Sequence, residues 1–221
     1  MKLIFGIFCE IFWFVWYGSL TILSLLFHPT IAPGSEKNKI VFVHSWMGQP
    51  LAYIFLKRFL EKRGISVLFT NMGLETGDIT KSAEKLQKYI EQRNLKDIIL
   101  VGGSIGAIIS VVYLEELGGW KNVRKFIAIS APFSGSFLSH FAFLSKSARQ
   151  IKPQSLFLKN LREKVSHKER IISLYGRFDE FVAPKSSIMP GVKNIQVDEI
   201  GHAKIQMFSR KVWKIIVSEL E

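Results

Sequence analysis

Ser104 lies in Gly102-Gly103-Ser104-Ile105-Gly106, a G-x-S-x-G pentapeptide. The apolar run Ile98-Ile99-Leu100-Val101 precedes it, and an apolar helical pattern begins at Ile105. A serine between a buried strand and a helix is the setting of a nucleophile elbow, whose tight turn projects the hydroxyl away from the sheet. Small residues two before and two after it let strand and helix approach without a Cβ clash. The plainer alternative is a glycine-rich turn that only packs, or that cradles a phosphate at the helix N-terminus. The chain has no G-x-G-x-x-G here, and no Lys-Ser/Thr follows as in a P-loop.

A serine nucleophile attacks an acyl carbon only with a base in reach and an acid that holds the base in its productive tautomer. The chain has five histidines. His28 falls in a proline-containing linker, and His140 and His167 fall in a basic helical stretch. His44 ends the first strand pattern, and His202 follows the last strand in Glu199-Ile200-Gly201-His202. Chain order, serine then acid then histidine, selects His202; the bland alternative is a partly buried polar cap on the final helix. Asp179, in Tyr175-Gly176-Arg177-Phe178-Asp179-Glu180, is the candidate acid, with Glu180 and Asp198 as neighbours. Glu180 should point elsewhere if Asp179 faces the site, and Asp198 reads as a solvated charge within a strand. An oxyanion hole needs two fixed backbone N–H donors. Ile105, at the helix N-terminus, supplies one; the loop after the first strand, His44-Ser45-Trp46-Met47-Gly48-Gln49, should supply the other.

These residues need elements to hold them, and the pattern supplies them in alternation. Strand signals fall at Ile40–Val43, Val67–Phe69, Ile98–Val101, Phe126–Ile129, Ile171–Tyr175 and Ile195–Val197. Helical stripes run from Gln49 to Lys62, from Asp78 or Thr80 to Arg93, from Ile105 to Leu117 and from Ala203 to Leu220. Such alternation predicts an α/β fold, a mostly parallel sheet of about six strands with helices on both faces. Ligands of such sheets bind at the carboxyl ends of the strands, where Ser104 falls.

Residues 3–27 are rich in Phe, Ile, Leu and Trp and carry one charge, Glu10; the run is long enough to span a bilayer, with Trp13, Trp16 and Tyr17 able to sit near an interface. The run exceeds an ordinary signal-peptide core, and Thr30-Ile31-Ala32 is a poor cleavage site. A buried core helix is the other alternative, disfavoured because the segment is apolar all round. The expectation is an uncleaved single-pass signal anchor over residues 1–28, a linker over 29–38 and one catalytic domain over 39–221. Lys2 before the span and Lys37 and Lys39 after it leave orientation open. Thirty Lys and Arg against 18 Asp and Glu give a net charge of +12, suited to a membrane carrying anionic lipid. A nucleic-acid partner rests on charge alone, since no binding motif is present. The single cysteine, Cys9, rules out a disulfide or a cysteine metal site within one chain.

Taken together, the chain resembles the α/β-hydrolase superfamily, and within it lipases and esterases, over about residues 38–221. The resemblance is carried by the 43–48 loop, the Gly102–Gly106 elbow, Gly176-Arg177-Phe178-Asp179 with Val182 and Pro184, and Gly201-His202. Two weaker pieces, Ala131-Pro132-Phe133-Ser134-Gly135-Ser136 and Pro153-Gln154-Ser155-Leu156-Phe157-Leu158, are similar to bacterial lipases and to lipase-like remodelling enzymes of glycolipid anchors. It implies Ser104 as nucleophile, Asp179 as orienting acid, His202 as base, and Trp46 with Ile105 as oxyanion donors. One position departs: the first loop usually reads His-Gly, and here Ser45 replaces the glycine, with a Cβ that restricts the turn. The resemblance also implies a helical cap at about 133–167. There Phe137, Leu138, Phe141, Leu144 and Ile151 form an apolar stripe amid Lys146, Arg149 and Lys152, either ordinary core or a surface that meets lipid. The implied activity is cleavage of a lipid or acyl ester by a monomer that needs no metal or cofactor. Transfer of the acyl group to an alcohol uses the same residues, and an inactive membrane-bound scaffold is the reading from another class.

Overall fold

The structure is a computed structural model that describes residues 15–16, 18–19, 39–46, 48–70, 73, 75–140 and 145–220. Strand β1 (Lys39–Val43) leads through a 3-10 turn (Pro50–Tyr53) into α1 (Ile54–Glu61) and β2 (Ser66–Phe69). Helix α2 (Ile79–Gln92), β3 (Ile98–Gly103), α3 (Ile105–Glu116) and β4 (Val123–Ile129) follow. After two short helices, α4 (Lys146–Gln150) and α5 (Leu156–Lys164), come β5 (Ile171–Phe178), β6 (Lys193–Ile200) and α6 (Arg210–Ser218).

The six strands form one sheet in the order β2-β1-β3-β4-β5-β6, and every pairing is parallel. Alternation along each strand sends side chains to opposite faces, and both faces are covered. Val41, Val43, Leu100 and Ala128 meet Ile79, Ala83, Leu86 and Ile90 of α2 together with α3 and α5. Ile40, Phe42, Ile99, Val101 and Ile127 meet Leu56 and Leu60 of α1 and Val212, Trp213 and Ile216 of α6. Ten consecutive residues of α3, Ile105–Leu114, are buried, which explains why this helix is apolar all round. The order of the strands reverses direction at β1, since β2 lies to one side of it and β3 to the other. In sheets of this kind ligands bind at such a switch point, here the carboxyl ends of β1 and β3. The 44–49 loop and the Ser104 turn both leave from there.

Two expectations change. The apolar stripe expected from Phe137 to Ile151 does not lie on one amphipathic helix. Ser145 caps the five-residue α4, Ser155 caps α5, and Pro153 lies between them. Phe137 is exposed in a 3-10 turn (Phe137–His140) whereas Ile151 is buried, so they share no face; Phe141 and Leu144 lie outside the described residues. The stretch 203–220 is likewise two pieces: a π-helical turn (Lys204–Phe208), then Ser209, whose hydroxyl accepts from the Val212 N–H to start α6. Among the described residues no helix is long and apolar enough to cross a membrane. The span predicted over 3–27 lies outside them except at residues 15–16 and 18–19, which are helical.

Candidate active site

The serine turn is built by close backbone approach. A Cβ on Gly102 would lie 2.5 Å from the Ala107 Cα, and one on Gly106 would lie 2.4 Å from the carbonyl oxygens of both Val43 and His44. Glycine at these two positions lets α3 begin directly against β1 and β3. The turn between them holds Ser104 at φ 50°, ψ −118°, a conformation a side chain avoids at a cost of about 1–3 kcal/mol unless its surroundings enforce it. Those surroundings are the Ser104 N–H, which donates to the Ile129 carbonyl of β4 at 2.8 Å, and the Ser104 carbonyl, which accepts from Ala107 at 3.0 Å. Ile105 is the first residue of α3, where a backbone N–H has no intrahelical partner and is available to an anion.

Asp179 follows β5 and is 6 % exposed. Its Oδ1 accepts from the N–H groups of Phe181 (3.0 Å) and Val182 (2.8 Å), which fixes the carboxylate plane. Its Oδ2 lies 2.7 Å from Nδ1 of His202, which follows β6. A carboxylate only accepts, so Nδ1 carries the proton and Nε2 is left as a base. The Phe181 ring stands edge-on to the imidazole at 5.3 Å. Glu180 does not point away as the sequence reading expects: both its oxygens accept from the His202 backbone N–H at 3.2 Å. Two successive carboxylates thus hold one histidine, Asp179 by its ring and Glu180 by its main chain. Asp198 is the solvated charge expected, exposed and paired with Arg177 and Lys211.

His44 also stands at the sheet edge, yet it is wholly buried, and burial pushes its pKa down. Its Nδ1–H donates to the Ser45 carbonyl at 3.0 Å. The Gly48 N–H donates to the same carbonyl at 2.8 Å, closing the turn that carries Trp46. Ser45 is not among the described residues with positive φ, so a Cβ costs the loop nothing there. The Ser45 N–H donates to the Tyr53 hydroxyl at 3.4 Å, and the two hydroxyls are 3.2 Å apart. The Trp46 indole donates to Ser145 Oγ at 3.2 Å, and that hydroxyl donates to the Thr76 carbonyl at 3.0 Å. The segment between β4 and β5 is thereby fastened to the first loop.

The structure therefore joins Asp179 to His202 and sets Ser104, Ile105 and Trp46 on turns at the same carboxyl edge. The segment bearing His202 also meets the serine turn, since a Cβ on Gly103 would lie 2.5 Å from Oε1 of Gln206. Tyr53, Ser145 and Gln206 are contributors that sequence reading missed, and Glu180, considered there, was not expected to hold His202. Among the described residues no group of three or more His, Cys, Asp or Glu side chains could hold a metal ion.

No family model and no curated protein matches the sequence. Solved structures do match the fold. The mature lipase BlEst2 of Bacillus licheniformis is 18% identical, with a TM-score of 0.70 over 87% of this chain and 95% of that one. An esterase from Exiguobacterium antarcticum is 16% identical, with a TM-score of 0.66 over 86% and 94%. A hydrolase from Oleispira antarctica is 14% identical, with a TM-score of 0.65 over 85% and 92%. With six parallel strands, helices on both faces and the serine turn after the third strand, the chain has the α/β-hydrolase fold.

Proposed function

We propose that the protein is a membrane-anchored serine hydrolase that cleaves carboxylic esters, of lipid or acyl type, through Ser104, His202 and Asp179. The observation that carries this reading is the 2.7 Å contact between Asp179 Oδ2 and His202 Nδ1, formed at the sheet edge where Ser104 is held in a strained turn. The lipases and esterases among the structural neighbours support it. Residues 3–27 and the net charge of +12 support the anchor and an anionic membrane surface.

In the proposed reaction His202 Nε2 takes the Ser104 proton as Oγ attacks the ester carbonyl. Asp179 stabilises the imidazolium that forms. The N–H groups of Ile105 and Trp46 receive the negative charge on the carbonyl oxygen, an interaction for which each donor contributes about 10²–10³-fold in rate. The alcohol leaves with the proton from His202, and water then releases the acyl group by the same steps in reverse. An alkyl fluorophosphonate should label Ser104 covalently in the folded wild type and leave Ser104→Ala unlabelled. Folded wild type that resists labelling and hydrolyses no p-nitrophenyl acyl ester would refute the proposal.

A further inference from the structure

Ser45 occupies the position where the resemblance leads one to expect glycine, and its N–H and its hydroxyl both meet the Tyr53 side chain. Tyr53 ends the 3-10 turn that Pro50 begins, and it is fully buried. Its ring is held against Phe42 of β1 (centroids 4.5 Å apart) and Phe69 of β2 (5.8 Å). Two aromatic contacts on neighbouring strands leave the phenol oxygen one place to be. It accepts the Ser45 N–H and shares a hydrogen bond with Ser45 Oγ. Burial pushes the phenol up to about 12, so it stays neutral and can donate as well as accept. The same oxygen would lie 3.6 Å from a Cβ on Gly103, the residue before Ser104. It therefore sits between the loop after β1 and the serine turn.

The consequence runs through one peptide plane. The Ser45 carbonyl is held from two sides by His44 Nδ1–H and the Gly48 N–H. A trans peptide is planar, so its N–H points opposite its carbonyl. Holding the Ser45 carbonyl therefore sets the direction of the Trp46 N–H. The carbonyl is fixed by His44 and Gly48, and the other end of the residue is fixed by Tyr53. We propose that Tyr53 is a positioning residue: through Ser45 N–H and Oγ it aims the Trp46 N–H that, in the ester-hydrolase reading on which this inference rests, receives the carbonyl oxygen's charge. Ser45 is then a working replacement for glycine, because its hydroxyl adds a second tie to the phenol.

The test is Tyr53→Phe, which keeps the ring packing and removes only the hydroxyl. In the full-length enzyme kcat for a p-nitrophenyl ester should fall about tenfold with KM within twofold, less than the loss of a whole oxyanion donor. The readout specific to the oxyanion hole is a matched pair of ester and thionoester substrates. Sulfur fits such a hole badly, so the wild type should strongly prefer the oxygen ester and Tyr53→Phe should lose much of that preference. Ser45→Ala keeps the backbone tie and should show a smaller effect of the same kind. The double variant should lose less than the product of the single losses, since both remove the same hydroxyl–hydroxyl bond. Unchanged kcat and preference in Tyr53→Phe, or lower stability with an unchanged preference, would overturn the positioning role. If Tyr53→Phe does not fold, Ser45→Ala decides alone, and an unchanged preference there overturns the role equally. A wild type without Ser104-dependent hydrolysis would instead overturn the underlying reading, and this inference with it.

Discussion

Replacing Asp179 with Asn tests the catalytic reading where its geometry is most definite. The substitution keeps size and shape, so only the pattern of donors and acceptors changes. Oδ1 accepts two backbone N–H groups, from Phe181 and Val182, at 3.0 and 2.8 Å. An amide NH₂ cannot accept them, so the Asn carbonyl must take that side and its NH₂ must face His202 Nδ1, 2.7 Å away in the wild type. Two donors would then oppose each other unless the imidazole moves its proton to Nε2. A histidine protonated there cannot take the Ser104 proton. The expected loss in kcat is about 10⁴-fold, the scale of the same change in other Ser-His-Asp triads, or about 5.5 kcal/mol at 1.36 kcal/mol per decade. Steady-state hydrolysis of p-nitrophenyl butyrate measures it, and circular dichroism confirms that the variant is folded. Glu180→Gln is the companion, because Gln retains an oxygen for the His202 N–H that Glu180 now binds and should cost less than about fivefold in kcat. A folded Asp179→Asn enzyme within tenfold of wild type would refute the reasoning, as would a loss in Glu180→Gln equal to that in Asp179→Asn.

Two further expectations concern the scaffold. Gly106→Ala places a methyl group 2.4 Å from two backbone carbonyl oxygens, so α3 must move off β1; urea unfolding should show a loss on the order of 1–3 kcal/mol. Gly77→Ala, with nothing within 4 Å, should stay within about 0.5 kcal/mol, and equal losses in the two would sink the close-approach argument. Glu75 is buried, and burial pushes its pKa up against the opposing pull of the Ser82 hydroxyl and the Lys85 charge. Below pH 4.5 the carboxyl is protonated folded or unfolded; as pH rises the unfolded chain ionises first, so stability falls up to the folded pKa, by at most about 1.4 kcal/mol per pH unit. Glu75→Gln should therefore raise the melting temperature more at pH 8 than at pH 4.5, and a gain independent of pH would contradict the argument.

The parts of this protein that were legible in its sequence are those whose cause is local. An apolar run that stops at Gly102 and resumes as a helix at Ile105 declares a strand, a turn and a helix within ten residues. The two glycines needed for close approach are inside the same stretch. Chain order points to His202 and the place after the fifth strand points to Asp179, and the two side chains meet because each follows a strand of one parallel sheet and must emerge at the same edge. Periodicity failed where a break is made by a single polar residue. Ser209 starts α6 afresh with its hydroxyl, so the stretch 203–220 keeps an apolar rhythm across a point where the helix stops. Ser145 and Ser155 do the same in the segment before β5.

The supporting residues were beyond reach for a different reason, since their function exists only in contact. Tyr53 reads as one more aromatic on the way into a helix, and Glu180 as a surplus charge beside Asp179. Their partners are eight and 22 positions away, and Ser145 meets Trp46 across 99. Ser45 shows how this limit distorts a reading. Judged along the chain, a serine in a glycine position is a loss of conformational freedom. Judged in the fold, the freedom is not needed, because Ser45 is not at positive φ, and the added hydroxyl finds the Tyr53 phenol. The same substitution is damage or reinforcement according to a side chain that no local pattern reveals.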